Sequence, residues 1–242
     1  MRLLLAAVPA ILLASCGHAE NGAESTSASG SRTFALAGFD KVTLKGSDDV
    51  NVVVGKDFSV SATGPADDLD LLEIVVEDGV LKVGRKSALR WHIGWSRKDE
   101  DDVKVTVTMP AIRGASLAGS GDMTIDSAAA DSFKMSLAGS GNLKVGRLEA
   151  KAAELNLAGS GDIAVAGKVL TLKVSGAGSG DVVASALEAE TADISLAGSG
   201  NVSARVTGSA SASVLGSGDV TISGTDKCKT SMLGSGSVTC KV

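Results

Sequence analysis

Tyrosine is absent from the 242-residue chain, and the few phenylalanines and tryptophans bring the aromatic share to only 2%. That removes most of the rings on which bases and sugars usually stack. Acidic side chains outnumber basic ones by 28 to 23, for a formal charge of −5. Such a surface repels phosphate, so no nucleic-acid partner is expected. Histidine occurs only as His18 and His92, too thin a supply for a Ser-His-Asp group or a multi-histidine metal centre. No cofactor or metal site is expected, and no catalytic residue stands out. Beyond the first residues, no apolar run is long enough to cross a bilayer. Glycine is abundant instead, with 30 residues.

The chain begins Met-Arg, continues with an apolar run from Leu3 to Leu13, and reaches Leu13-Ala14-Ser15-Cys16. A charged start, a short apolar stretch and small residues before a cut site form the layout of a secretory signal over residues 1–15. The last four residues resemble the bacterial lipoprotein box, which implies a diacylated, palmitate-bearing Cys16 at the new N-terminus. A membrane partner through that lipid is therefore expected, and Gly17 after the cysteine is similar to the outer-membrane sorting case. Residues 16–32 lack an apolar period and read as a flexible tether. Cys228 and Cys240 then remain as an even pair in a compartment where disulfides persist. They are either a staple or two small apolar fillers.

Self-similarity organises the rest. Gly-Ser-Gly recurs with serines at 120, 140, 160, 179, 199, 217 and 235, so the steps are 20, 20, 19, 20, 18 and 18 residues. The fullest copies are Gly119-Ser120-Gly121-Asp122, Gly139-Ser140-Gly141-Asn142 and Gly159-Ser160-Gly161-Asp162. Asp181, Asn201 and Asp219 follow the motifs of Ser179, Ser199 and Ser217. Apolar residues keep a period of two on both sides of each motif, as in Met135, Leu137, then Met123, Ile125. Period two around a glycine turn means strand, turn, strand with one side facing a core. One such unit cannot bury its apolar edge, whereas stacked copies bury a continuous core. The fold expected is an all-β parallel β-helix, or β-solenoid, of about 18–20 residues per coil over 113–242. A less regular β region over 33–112 precedes it.

A coil this small leaves little room for Trp or Tyr, which accounts for the aromatic poverty. The glycines supply turn conformations closed to other residues, and the serines and Asp/Asn residues are read as bonding turn amides or the same group one coil away. Gly46-Ser47-Asp48 resembles a degenerate copy of the turn. Ile74–Glu77, Asp78-Gly79 and Val80–Val83 make a hairpin signal. No stretch carries a helical period.

Between the hairpin and Val103 lies a basic segment holding both tryptophans. Arg90, Trp91, Trp95 and Arg97 there form a candidate binding loop for headgroups or an anionic sugar, against the plainer reading of a solvated loop beside an acidic run. Glycine-aspartate repeats also suggest calcium, but one acid per coil falls short of the six or more oxygens calcium takes. Gly-Ser-Gly lacks the Lys of a phosphate loop and the helix of a nucleophile elbow.

Gly38-Phe39-Asp40-Lys41-Val42, Gly46 to Val50, the hairpin 78–83, and Val103 to Pro110 leading into Leu117–Asp122 together resemble the bacterial GIN-domain family of autotransporter adhesin heads. The resemblance spans roughly residues 33–242, although Gly-Ser-Gly-Asp stands where the family's nickname suggests Gly-Ile-Asn. It implies a secreted or lipid-anchored right-handed β-helix and supplies no catalytic residues. The function expected is a non-enzymatic, lipid-anchored cell-envelope protein at the outer membrane, whose rigid solenoid presents itself to a glycan or envelope protein. Two alternatives remain: a polysaccharide-active enzyme using an acid such as Asp162, and a structural subunit self-associating through its solenoid ends.

Overall fold

Buried and exposed residues alternate along the repeats as far as Ser223, so each strand there can close a coil by turning one edge of its side chains inward. The computed structural model describes residues 29–86 and 103–242. In chain order its elements are β1 (Ser29–Phe34), β2 (Lys41–Gly46), β3 (Asp49–Val54), β4 (Ser59–Pro65), α1 (Ala66–Leu71), β5 (Leu72–Glu77), β6 (Val80–Arg85), β7 (Lys104–Met109) and β8 (Gly114–Gly119). There follow β9 (Met123–Gly139), β10 (Leu143–Gly159), β11 (Ile163–Gly178), β12 (Val182–Gly198), β13 (Val202–Gly216), β14 (Asp219–Ser223), β15 (Cys228–Gly234) and β16 (Ser237–Lys241).

The strands stack in parallel as a β-solenoid. One inward column runs Leu44, Leu117, Leu137, Leu157, Gly176, Leu196, Val214 and Met232 through successive pairings. A second runs Val50, Met123, Leu143, Ile163, Val182, Val202, Val220 and Val238. All but the top members are buried. Phe133 is fully buried where the next coils supply Ala153, Leu172 and Ala192. A large ring fits the narrow interior only beside a small neighbour.

The unequal repeat steps do not disturb the motif. Registers slip between Val145 and Leu148, between Ala164 and Ala166, and between Ala184 and Glu188. Missing residues are thus absorbed at a corner away from the Gly-Ser-Gly turn. There Gly159, Gly178, Gly198 and Gly216 remain directly paired.

The amino-terminal half differs from the expected division. β2 and β3 already form a coil, pairing in parallel with β8 and β9, so Gly46 lies directly beneath Gly119 and Gly46-Ser47-Asp48 is a true first copy of the turn. β6 and β7 form a further coil on the other side of β2 and β3. The chain therefore completes one coil and then inserts a second beneath it, an order that periodicity does not encode. Antiparallel strands cover this lower end: β4 on β7, β1 on β4, and β5 on β6. β1 begins at Ser29, four residues inside the segment read as tether, because its register on β4 extends from Ser29–Pro65 to Phe34–Val60. Arg32 fastens it further by donating to the Leu69 carbonyl at 2.9 Å.

The helix α1 corrects the all-strand reading of this region. It follows Pro65 and carries Asp67 and Asp68 in its first turn, a favourable start for a helix. Six residues are too few to display a helical period. The expected hairpin is present as β5 and β6, with Asp78 at φ 52° and Gly79 at φ 75°.

Candidate functional site

The repeated motif is the obvious place to seek chemistry, and its geometry is that of a building element. In each turn from Gly46 to Gly216 the carbonyl of the first glycine accepts two N–H groups from the coil above. Gly119 O receives Ser140 N at 3.0 Å and Gly141 N at 3.2 Å, and Gly139 O receives Ser160 and Gly161, both at 3.0 Å. The same pair recurs at Ser179/Gly180, Ser199/Gly200 and Ser217/Gly218. Stacking this close leaves no room for a side chain. A Cβ on Gly159, whose φ is 130°, would lie 2.2 Å from Gly139 O, and one on Gly161 would lie 1.9 Å from Gly141 O.

The residue after each motif forms a second ladder. Asp122 Oδ1 accepts Asn142 N at 2.8 Å, Asp162 Oδ1 accepts Asp181 N at 2.8 Å, Asp181 Oδ1 accepts Asn201 N at 2.7 Å, and Asn201 Oδ1 accepts Asp219 N at 3.3 Å. Where an asparagine sits above an aspartate, its amide donates downward as well: Asn142 Nδ2 to Asp122 at 2.9 Å and Asn201 Nδ2 to Asp181 at 3.0 Å. Amides thus bridge carboxylates that would otherwise repel. Among the described residues no three His, Cys, Asp or Glu side chains converge to hold a metal ion.

The first copy departs from the pattern at its second glycine, where Asp48 stands. Its side chain is fully buried and receives Arg85 Nη2 at 2.6 Å and Arg85 Nε at 3.0 Å, while Arg85 Nη1 reaches Asp68 at 3.3 Å. Sequence reading missed this cluster, which locks the coil of β6 and β7 under the first turn. At the opposite end Cys228 and Cys240 are joined, with Cα atoms 6.6 Å apart, so the disulfide ties β15 to β16 across the last coil. Cys16, Arg90, Trp91, Trp95 and Arg97 lie outside the described residues.

A groove of about 900 Å³ runs along one flank of the solenoid. Its floor is the column Ser132, Ala152, Thr171, Thr191 and Ser209, paired coil to coil. One rim carries Glu154, Lys173 and Asp193. Lys134 Nζ lies 3.0 Å from Glu154 and Asn156 Nδ2 2.9 Å from the same oxygen, and these two donors, the amide first, hold the Glu154 carboxyl below the ordinary 4.5. Lys173 and Asp193 form no ion pair among the described residues. The floor was legible after all: its residues each stand eight positions before a motif serine.

Coils sealed by shared turns, a cap of antiparallel strands below and a disulfide above define a rigid parallel β-solenoid scaffold. The family described as "Putative auto-transporter adhesin, head GIN domain" matches residues 38–225, and the chain belongs to it. Among solved structures it is similar to a putative adhesin of Bacteroides fragilis, with 20% identity, a TM-score of 0.80, and coverage of 89% of this chain and 97% of that one. It is also similar to two proteins of Parabacteroides distasonis. One is named a putative lipid binding protein (24% identity, TM-score 0.70, 88% and 96% covered), and the other a putative adhesin (21%, 0.69, 90% and 98%). A comparison with curated proteins finds no match.

Proposed function

We propose that this member of the adhesin-head family is a non-enzymatic envelope protein, anchored at the outer membrane through a lipid on Cys16, that presents its solenoid as a rigid binding surface. The observation carrying this reading is the turn column. In copy after copy, the glycine carbonyls, serine and glycine N–H groups and Asp/Asn oxygens are spent on the neighbouring coil. Asp162, the acid a polymer-cleaving enzyme would need, serves that ladder by accepting Asp181 N. A motif repeated as architecture supports a scaffold, and scaffolds of stacked coils offer long flat or grooved flanks to partners.

The test expresses the full chain and its Cys16→Ala variant in a Gram-negative host fed an alkyne-tagged palmitate. The wild type should carry the label and sediment with outer membranes, and its exposed domain should retain cell-envelope material in a pull-down. The variant should lose label and membrane association. An unlabelled, freely soluble wild type would overturn the anchor, and turnover of a linear polysaccharide that disappears in Asp162→Ala would overturn the non-enzymatic reading.

A further inference from the structure

We infer that the open upper edge of β15 is a docking site for one further strand from a different protein, an extended segment in which an acid stands between inward apolar residues. The inference rests on the binding reading above, to which it adds a surface and a partner chemistry. β15 pairs with β13 alone and β16 with β14 alone, so no strand lies above the last coil among the described residues. The consequence shows in burial. Ala210, Ala212 and Val214 are buried on β13, whereas Thr230 and Met232, which continue the same inward columns on β15, are exposed; Val214 is 2% accessible and Met232 46%. On β16 the inward Val238 and Cys240 stay half-buried, so β15 is the more open edge. Leu215 and Leu233, paired on the outward side, add exposed apolar surface beside it. Unpaired backbone groups next to exposed apolar side chains are what an added strand requires.

The chain itself shows what covers such a strand. Lys229 continues the outward column of Lys134 and Lys173. Each of those lysines has a strand above it with an acid at the facing position: Glu154 over Lys134, at 3.0 Å, and Asp193 over Lys173. The inward residues flanking the acid are apolar both times, Ala153 and Leu155 in one strand and Ala192 and Ile194 in the other. Below the regular coils the column's other lysine, Lys41, lies under Gly114. A strand fitted to β15 therefore sets an acid over Lys229 and apolar residues over Thr230 and Met232. Lysine on an open edge discourages indiscriminate pairing, so the residue that guards this edge admits a strand bringing the opposite charge.

A second copy of this chain meets the demand poorly at either of its ends. Residues 227–242 hold Lys227, Lys229 and Lys241 and no acidic side chain, so two upper ends bring like charges together. At the lower end β5 does carry Glu73 and Glu77, but Glu77 is already paired with Lys82. The steps of the two ends also disagree. Three strands lie below β3 and only two below β2, so β1 of a second copy would meet β16 before β5 could reach β15.

The experiment is calorimetric titration of the full chain with a capped peptide copying residues 188–201, in which Asp193 supplies the acid and Ile194 and Leu196 fall over Thr230 and Met232. The peptide should bind, and its Asp193→Lys version should bind at least tenfold more weakly. Lys229→Glu in the protein should reverse that preference, and Thr124→Leu on the other flank should leave it unchanged. Amide exchange should slow at residues 228–234 when the peptide binds and stay as it was in β9 to β11. Absence of binding, an unreversed preference in Lys229→Glu, or protection centred elsewhere would overturn the inference. So would a dimer of the protein alone, seen in sedimentation and dissolved by Met232→Asp, since the edge would then belong to a second copy. If the full chain retains envelope material while ignoring the peptide, the edge assignment falls and the binding scaffold stands. If neither is bound, both fall.

Discussion

Replacing Gly161 by alanine would put a Cβ 1.9 Å from Gly141 O, where real Cβ atoms keep at least 3.0 Å. The obstacle is backbone, so no side chain can swing away. The turns of coils at Ser140 and Ser160 must part by about an ångström, which stretches the bonds from Ser160 N and Gly161 N to Gly139 O, now both 3.0 Å. Two backbone hydrogen bonds at about 0.5–1.5 kcal/mol each, with strain of about 1 kcal/mol, give a loss of roughly 2–4 kcal/mol. For a chain of this size that corresponds to a fall in Tm of roughly 5–12 °C. The exposed Ser160 side chain provides the control, since Ser160→Ala should stay within about 0.5 kcal/mol. Thermal melts by far-UV circular dichroism read the global effect, and amide exchange reads the local one, which should centre on residues 159–162 and their neighbours one coil away. A Gly161→Ala protein melting within about 2 °C of wild type would refute the close-stacked turn.

Arg85→Met should destabilise the chain by about 3–5 kcal/mol in chemical denaturation, because it strands the buried Asp48 carboxylate without its partner. Asp181→Asn should be neutral or stabilise by up to about 1 kcal/mol, since Asp162 and Asp181 are stacked acids and an amide at 181 relieves them, as Asn142 does for Asp122; the gain should vanish near 1 M salt. Removing the Cys228–Cys240 bond, which closes a loop of 12 residues, should cost roughly 3 kcal/mol and confine faster amide exchange to β15 and β16, leaving β9 to β11 protected. Glu77, Asp131 and Glu188 sit below their ordinary carboxylate values through hydrogen bonds from Lys82, Lys151 and Lys168, as Glu154 does through Asn156 and Lys134. Their folded values are depressed, so their small contribution is present above the ordinary 3.8 to 4.5 and is lost as pH falls through the lower folded values. Tm should accordingly be level around neutrality and decline in acid, and added salt should flatten that slope.

The carboxyl-terminal coils were legible because each repeats the same three demands: a close-packed glycine turn, period-two burial, and an Asp/Asn to bridge coils. The coils from Gly119 to Asp219 meet them within a residue or two, while the last has Ser237 in the Asp/Asn place and an exposed strand β15. The lower end obeys other constraints. That β6 and β7 slide beneath β2 and β3 depends on long-range pairing that leaves no local mark, and Asp48 looks like a failed glycine until Arg85 from a later strand is beside it. Helix α1 is too short for periodicity and shows itself only through Pro65 and its acids. The groove floor lay in plain view as outward positions at a constant offset from the motif. Small residues such as Ala152 and Ser209 carry no chemical label, and only the concave bend of the coil gives them significance.

Pulsed electron resonance between spin labels on paired turn serines measures the stacking itself. Cysteine pairs placed at Ser120/Ser199 and at Ser120/Ser217, in a protein whose native cysteines are replaced, should give separations of about 19 and 24 Å, one coil spacing of about 4.8 Å for each turn crossed whether the repeat holds 18, 19 or 20 residues. Separations well beyond one coil spacing per turn crossed, or that scatter without order, would contradict the stacked column on which the fold and the proposed binding surface depend.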